Sequence, residues 1–315
     1  MRDWEAVVDH LLESPRYGER MAQHWLDVVR YADTSGFAND WERPHAWRYR
    51  DYVIRSFNND KRFDRFVKEQ IAGEELAPDD PEGRIATGYL RMGPWEQTGM
   101  SVAAVTRQQF LDDVTNSVGE TFLAQGLRCA SCHDHKFDPV PTRDYYRIQA
   151  VFASTQFDEP ATPFLDAETR EFAERREHLE RIRDLGPEQI TRLDKENSFE
   201  RITKKRNAYL ESAFERFVPQ SFSVKTGGGG KTRILEGGAL SSPGGMVEPG
   251  ALSATGFQVK IPTKAAGRRL ALANWIADQR NPLTARVIVN RVWQWHFGSG
   301  LVAASNNFGR MGGRP

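Results

Sequence analysis

Cysteine is nearly absent from this sequence. Cys129 and Cys132 are the only two in 315 residues, which excludes a disulfide framework and gathers the sulfur chemistry at one place. A charge imbalance is missing too. Lys and Arg number 43 against 43 Asp and Glu, so the basic excess behind a nucleic-acid footprint is lacking. No apolar run approaches the length of a membrane span. The opening Met1-Arg2-Asp3-Trp4 has neither the apolar core nor the cleavage site of a secretory signal. With the ending Gly312-Gly313-Arg314-Pro315, this reads as a piece of a longer protein. The run Gly227 to Gly230 leads into Lys231-Thr232, but the first glycine of the P-loop pattern would fall at position 225, which is Lys, so the spacing is not that of a phosphate cradle. Aromatics, by contrast, are plentiful. Eight Trp, eight Tyr and eighteen Phe argue for buried cores rather than disorder, in one large domain or two smaller ones.

Periodicity predicts a mainly α protein, an irregular multi-helix domain with a charged helical hairpin and a small β-rich insert. One helix closes at Leu11-Leu12 before Ser14-Pro15. A second runs from about Tyr17 to Ala32, with Tyr17, Met21, Trp25, Val28 and Ala32 at helical spacing. After a loop from Ser35 to Pro44, helices follow near Trp47 to Phe57 and through Phe63, Phe66, Val67 and Ile71, the latter stopped by Gly73. Residues 77–100 read as loop. A long helix from Val102 to Leu123 buries Phe110, Val114, Val118 and Phe122 and stops near Gly126. The charged stretch 165–216 reads as a helical hairpin interrupted at Gly186-Pro187. Leu179, Ile182 and Leu185 face Ile190, Leu193 and Ile202 across it, and its outer face is solvated. Between 219 and 262, short stretches at Ser221 to Val224, Thr232 to Leu235 and Gln258 to Ile261 alternate with glycines and predict strands. Helical spacing resumes through Leu270, Ala273, Asn274 and Ile276, and again from Val287 to Phe297. The expected divisions are 1–160, 161–218, 219–262 and 263–315.

The chemistry concentrates at Cys129-Ala130-Ser131-Cys132-His133. In Cys-x-x-Cys-His, two thiols add across the haem vinyl groups and the adjacent histidine supplies the proximal nitrogen to iron. This pattern predicts covalent haem c on Cys129 and Cys132, with His133 as iron ligand. A thioredoxin-like pair needs a βαβ context that is missing here. A non-haem metal site would draw on Cys129, Cys132, His133 or His135, and Asp134 or Asp138, but structural zinc wants four ligands and no second cluster is evident. Asp134 reads as structural. His135 and Asp138 stay open as acid/base groups, partners of the iron ligand or ligands of an ion. By type, Met92, Met100, Met246, Met311, His24, His45 and His296 all qualify as sixth iron ligand. A closed site would transfer electrons, and an open one would bind a small molecule.

Arg20, His24, Asp27 and Tyr31 share one helical stripe, with Arg30, Asp33, Arg48, Arg50 and Asp51 following. Two readings compete, an ion-pair ladder on a solvated helix and a polar pocket with His24 and Asp27 as catalytic candidates.

At this point the residues resemble a family. Tyr17-Gly18-Glu19-Arg20, His24-Trp25-Leu26-Asp27, Arg30-Tyr31-Ala32-Asp33, Trp47-Arg48-Tyr49-Arg50-Asp51, Phe63-Asp64-Arg65-Phe66 and Gln70-Ile71-Ala72-Gly73 look like the second planctomycete cytochrome-type domain. So does Cys129 to Pro139 with Asp144-Tyr145-Tyr146. Arg269 to Ala273, Asn281 to Arg286, Asn290-Arg291-Val292-Trp293, Phe297-Gly298 and Gly300-Leu301-Val302 look like the start of the planctomycete-specific domain. The resemblance implies a large exported protein, periplasmic or secreted, often with a separate cytochrome domain ahead of this region, from bacteria that degrade polysaccharides. The expected function is haem-based electron transfer with a redox partner protein or adjacent cytochrome domain. The alternative is a non-haem metal-dependent or carbohydrate-acting enzyme or binding module. The resemblance also raises the polar-pocket reading, adding Asn281, Arg286, Asn290 and Arg291 to it, beside the Cys-x-x-Cys-His segment.

Overall fold

Short polar residues start the first two helices. Asp3 accepts the Ala6 N–H at 3.3 Å and opens α1 (Trp4–Glu13). Ser14 accepts the Arg16 N–H at 3.3 Å and opens α2 (Pro15–Val29), with Pro15 in the first turn where its missing N–H is harmless. A computed structural model describes residues 3–36, 40–96, 99, 101–185, 189, 199–215, 219–228 and 230–314. The chain divides into two compact units, Met1–Glu159 with Phe222–Pro315, and Pro160–Ser221.

In the first unit, α2 ends three residues before the expected Ala32, because Arg30 turns left-handed at φ 62°. Met21, Ala22, Trp25 and Val29 are its buried face. It packs on α3 (Trp47–Asn58) and α4 (Phe63–Leu76) around Trp25, Tyr49, Tyr52 and Phe66, with the Trp25 and Phe66 rings 5.0 Å apart. One amide organises this core: Gln70 Oε1 accepts the Trp25 indole N–H at 3.0 Å and the Tyr49 hydroxyl at 2.6 Å. Gly73 does not stop α4. The helix kinks at Ala72 and continues, and Gly73 instead lies so close to the Gly83 backbone that a Cβ would not fit.

Residues 77–100 are not all loop. Asp80 caps a short α5 (Pro81–Ala86), and a 3-10 turn follows at Thr87–Arg91, with Ile85, Ala86, Tyr89 and Leu90 buried. The long helix α6 (Ala103–Leu123) buries Phe110, Val114, Val118 and Phe122 as expected. It stops at a left-handed Ala124 (φ 47°), before Gly126. Then come a 3-10 turn at Arg128–Ser131 and α7 (Thr142–Phe152).

The strands differ from expectation in their pairing. β2 (Ser223–Thr226) pairs antiparallel with β1 (Thr155–Asp158), Asp158 facing Ser223. Among the described residues only β3 (Thr232–Leu235) and β4 (Pro243–Val247) form a local hairpin, and residues 258–261 are coil. The unit closes with α10 (Arg268–Ala277) and α11 (Thr284–Phe297).

The second unit holds the charged helices α8 (Asp166–Arg183) and α9 (Phe199–Glu215), which contact each other. A bridge between Ala161 and Gln220 and a 2.8 Å hydroxyl contact between Thr162 and Ser221 tie its ends. Leu179 and Leu210 are buried. Gly186-Pro187, Ile190 and Leu193 lie outside the described residues. Among the described residues no helix is long and apolar enough to cross a membrane.

Candidate functional site

The Cys-x-x-Cys-His segment sits just beyond the C-terminus of α6, and two distant residues fix that end. Arg291, from α11, is buried and gives its guanidinium to the Thr121 carbonyl, to the Glu120 carbonyl at 2.8 Å and to Asn306 at 3.1 Å. A cation on the orphan carbonyls of a helix end offsets both missing hydrogen bonds and the negative end of the dipole. The Ala124 carbonyl accepts the Phe308 N–H at 2.8 Å.

The chain then makes one tight turn. The Ala130 N–H bonds the Leu127 carbonyl at 2.9 Å, and the Cys132 N–H bonds the Cys129 carbonyl at 3.4 Å. Ala130 is fully buried and anchors the turn, while Cys129, Cys132 and His133 are exposed. Both cysteines are free thiols. His133 Nδ1 lies 2.7 Å from the Asp134 carbonyl. A carbonyl only accepts, so Nδ1 carries the hydrogen and the neutral ring keeps its lone pair on Nε2.

Asp134 accepts the Thr142 N–H at 2.8 Å, capping the start of α7. His135 Nδ1 accepts the Asp138 N–H at 2.9 Å and lies 3.3 Å from the Asp138 carboxylate. That carboxylate also accepts the Arg310 N–H at 2.6 Å, and Gly309 lies against it with no space for a Cβ. Beside this pair opens a cleft of about 420 Å³, walled by Phe137, Val140, Leu252, Leu283 and Phe308 with Arg310 at its edge. Its size and apolar lining suit a small ligand.

Tyrosines from α7 support the turn from behind. The Tyr146 hydroxyl donates to the Ser131 carbonyl at 2.8 Å and to the Leu235 carbonyl at 3.4 Å, and burial pushes its pKa up to about 12. Tyr145 is buried and donates to Asp112 at 2.6 Å, on the same oxygen that receives Gln149 at 2.9 Å and Gln108 at 3.0 Å. Burial still holds the Asp112 carboxyl above its ordinary range, against those three donors. Asp144 accepts the Ser253 N–H and hydroxyl, each at 2.6 Å.

The N-terminal candidates do not converge on one pocket. His24 stacks on Trp295 of α11 with centroids 5.4 Å apart. Burial, then Arg20, lowers its pKa; Asp27 opposes them and His296 adds to the lowering. Asp27 is exposed, and Arg20 bonds Gln23 at 3.0 Å. Arg30 pairs with Asp113 at 2.7 Å, Tyr31 with Asp33 at 2.7 Å, and Arg50 with Asp51 at 2.7 Å. Arg48 is buried. Asn281 bonds the Trp275 carbonyl at 3.2 Å, Asn290 bonds Val302 through both its amide groups, and Arg286 is exposed. The shared helical stripe flanks the buried face of α2, so its members meet separate neighbours.

Of the sixth-ligand candidates, Met92 and His45 are buried, while Met246 and Met311 are exposed. His296 is tied to the Val292 carbonyl at 2.8 Å. Met100 lies outside the described residues. Among the described residues no three of His, Cys, Asp and Glu are gathered to hold a metal ion. His135 and Asp138 pair with one another, and Asp138 also accepts the Arg310 backbone N–H, so among the described residues the non-haem alternative finds no gathered ligand set.

Sequence reading named Arg291 and Tyr146 near the motif but not the helix-end and turn contacts they make, and it missed the approach of the β3–β4 hairpin. Gly238, in its turn, has φ 76°, and a Cβ there would lie 2.6 Å from Cys132 Sγ. Only the Tyr145-Tyr146 pair, close after the motif, was a local signal.

A helical domain presenting two thiols and an imidazole on one exposed turn is thus the class to which the chain's geometry assigns it. The family model described as PSCyt2, protein of unknown function (DUF1549), matches residues 1–157. That described as PSD1, protein of unknown function (DUF1553), matches residues 268–315. The chain belongs to the PSCyt2 family over its first segment and enters PSD1 in its last. Neither the curated proteins nor the solved structures include a match.

Proposed function

We propose that this chain is a c-type cytochrome-like protein of the bacterial periplasm or exterior, carrying one covalent haem and passing electrons to a redox partner. The observation that carries the reading is the turn itself. Cys129 and Cys132 are free, exposed and in register with His133, and the Asp134 carbonyl holds the His133 ring in the tautomer that leaves Nε2 able to ligate. These residues fit haem c in donor type and order: Cys129 and Cys132 would hold the porphyrin through thioethers, and His133 would ligate iron. When bound, the haem supplies one-electron transfer at iron.

The chain's own residues do the rest. Ala130, Tyr146 and the Arg291-capped end of α6 keep the turn rigid, so the two sulfurs and the imidazole stay in one orientation. Exposure of all three leaves the group accessible to a partner protein, which suits transfer between proteins.

The apolar cleft beside His135 and Asp138 favours a second reading, a binding module for a small molecule, carbohydrate among the candidates. The test is a pyridine haemochrome spectrum on protein exported with c-type maturation machinery, beside a Cys129→Ala/Cys132→Ala control. Haem surviving acid-acetone extraction, absent from the control, supports the first reading. Folded, exported protein without haem overturns it and turns attention to the cleft.

A further inference from the structure

The two sulfurs of the motif stand in different surroundings. Among the described residues, Cys129 Sγ makes no hydrogen bond. Cys132 Sγ lies 3.5 Å from the Ser131 hydroxyl, and on another side it meets the backbone of Gly238, at the turn of the β3–β4 hairpin. That turn is built for close approach. Gly237 and Gly238 have φ of 60° and 76°, where a side chain strains the backbone. A Cβ on Gly238 would fall 2.6 Å from Cys132 Sγ and 3.6 Å from the Ser131 carbonyl. Below the turn, the Tyr146 hydroxyl bridges the Ser131 carbonyl to the Leu235 carbonyl at the end of β3. Tyr146 therefore fastens the hairpin to the motif, and Gly238 lets it close to contact distance.

We propose that the β3–β4 hairpin is a wall of the thiol site, in which Gly238 and Tyr146 are positioning residues that make Cys132 the held sulfur and Cys129 the open one. The purpose of this device rests on the haem-attachment reading. A thioether at Cys132 forms only along the directions that Gly238 leaves free, whereas Cys129 is approachable without that constraint. Residues 232–247, far from the motif in sequence, thereby become part of the site.

The test reads the sulfurs directly. The full chain, reduced and without haem, is treated with iodoacetamide, and the Cys129 and Cys132 peptides are quantified over time by mass spectrometry. Each thiolate displaces iodide, so the rate reports its access and ionisation. Cys129 is expected to react several-fold faster than Cys132. In Gly238→Ala the added methyl group meets the sulfur, so either the turn retreats or the Cys132 side chain swings out, and both free the sulfur from the wall. The variant is expected to raise the Cys132 rate several-fold while leaving Cys129 within about twofold, because only Cys132 Sγ lies against Gly238. Tyr146→Phe, which keeps the ring and removes the bridge, should move Cys132 the same way, and it stands in if Gly238→Ala does not fold. Equal rates for the two thiols, or rates that neither variant changes, overturn the proposal. Its failure is separable from that of the haem reading. Haem held by both cysteines with unresponsive rates defeats only the hairpin's role, and responsive rates in a chain that never takes haem defeat only the haem.

Discussion

Asp112 is the residue whose environment has the clearest consequence. Three donors converge on one of its oxygens, yet burial keeps its folded-state pKa above the ordinary carboxylate value. The folded protein therefore holds this proton more tightly than the unfolded chain does. Its contribution to stability is full below the unfolded pKa and fades as pH rises through the interval up to the folded value. Asp112→Asn does not titrate. The unfolding free energy of the wild type minus that of the variant should thus fall as pH climbs from the usual carboxylate range. Urea titrations at a series of pH values measure it, and a difference that is flat or rising would show that the carboxylate stays comfortably ionised. Arg291 acts on a different principle: burial lowers its pKa to about 10, which leaves it charged at neutral pH. Arg291→Ala leaves two carbonyls at the end of α6 without their cation and should cost ~3 kcal/mol, because hydrogen bonds to charged groups are the stronger ones and their loss leaves buried acceptors bare. Denaturant unfolding that shifts by only a few tenths of that would contradict the capping role.

At the scale of elements, glycine and its neighbours decide more than periodicity does. Gly73→Ala forces a methyl group into the Gly83 backbone where α4 passes α5, and neither backbone can yield cheaply. A loss of about 1–3 kcal/mol is expected. Gly83→Ala, whose added carbon would meet Gly73 at 3.0 Å, should cost less. The order of the two melting temperatures is the check. The same positions show what could be read in advance. The stripe Phe110, Val114, Val118 and Phe122 announced α6, because four apolar residues at helical spacing leave little choice. Its end at Ala124 was not visible, since a left-handed alanine is imposed by tertiary contacts, here the Phe308 N–H on its carbonyl. α5 hid behind Pro81 and Gly83, which mark a loop in most contexts and a capped helix start in this one. β2 looked like part of a local insert because nothing in a short window reveals a partner at Thr155–Asp158. The motif itself was legible residue by residue. Of its supports, Tyr146, close after it, and Arg291, beside it through the family resemblance, were named but not their bonds, and Gly238 was not legible, because it reaches the motif across the fold.

On the scale of the whole molecule, the second unit enters and leaves the first at one spot. Asp158 and Ser223 face each other as the last and first residues of paired strands, and residues 160–221 lie between them. Replacing 160–221 by a two-residue Asn-Gly turn should convert β1 and β2 into an ordinary hairpin. The shortened chain is expected to unfold cooperatively, with the thermal midpoint shifted by a few degrees at most and the helical circular dichroism of the first unit retained. A broad, non-cooperative melt would mean that the first unit depends on the second.

Arg269, on α10, donates to the Ile71 carbonyl at 3.2 Å and to Glu74 at 3.0 Å, closing a contact 195 residues along the chain with the second of these. Glu75 in turn accepts the Leu270 N–H at 3.0 Å. During synthesis the ribosome delivers α4 long before the arginine that answers its carboxylates. Thr226 answers Glu75 earlier, through its hydroxyl at 2.7 Å, but Glu74 must wait for Arg269, so the first unit completes itself only late in translation.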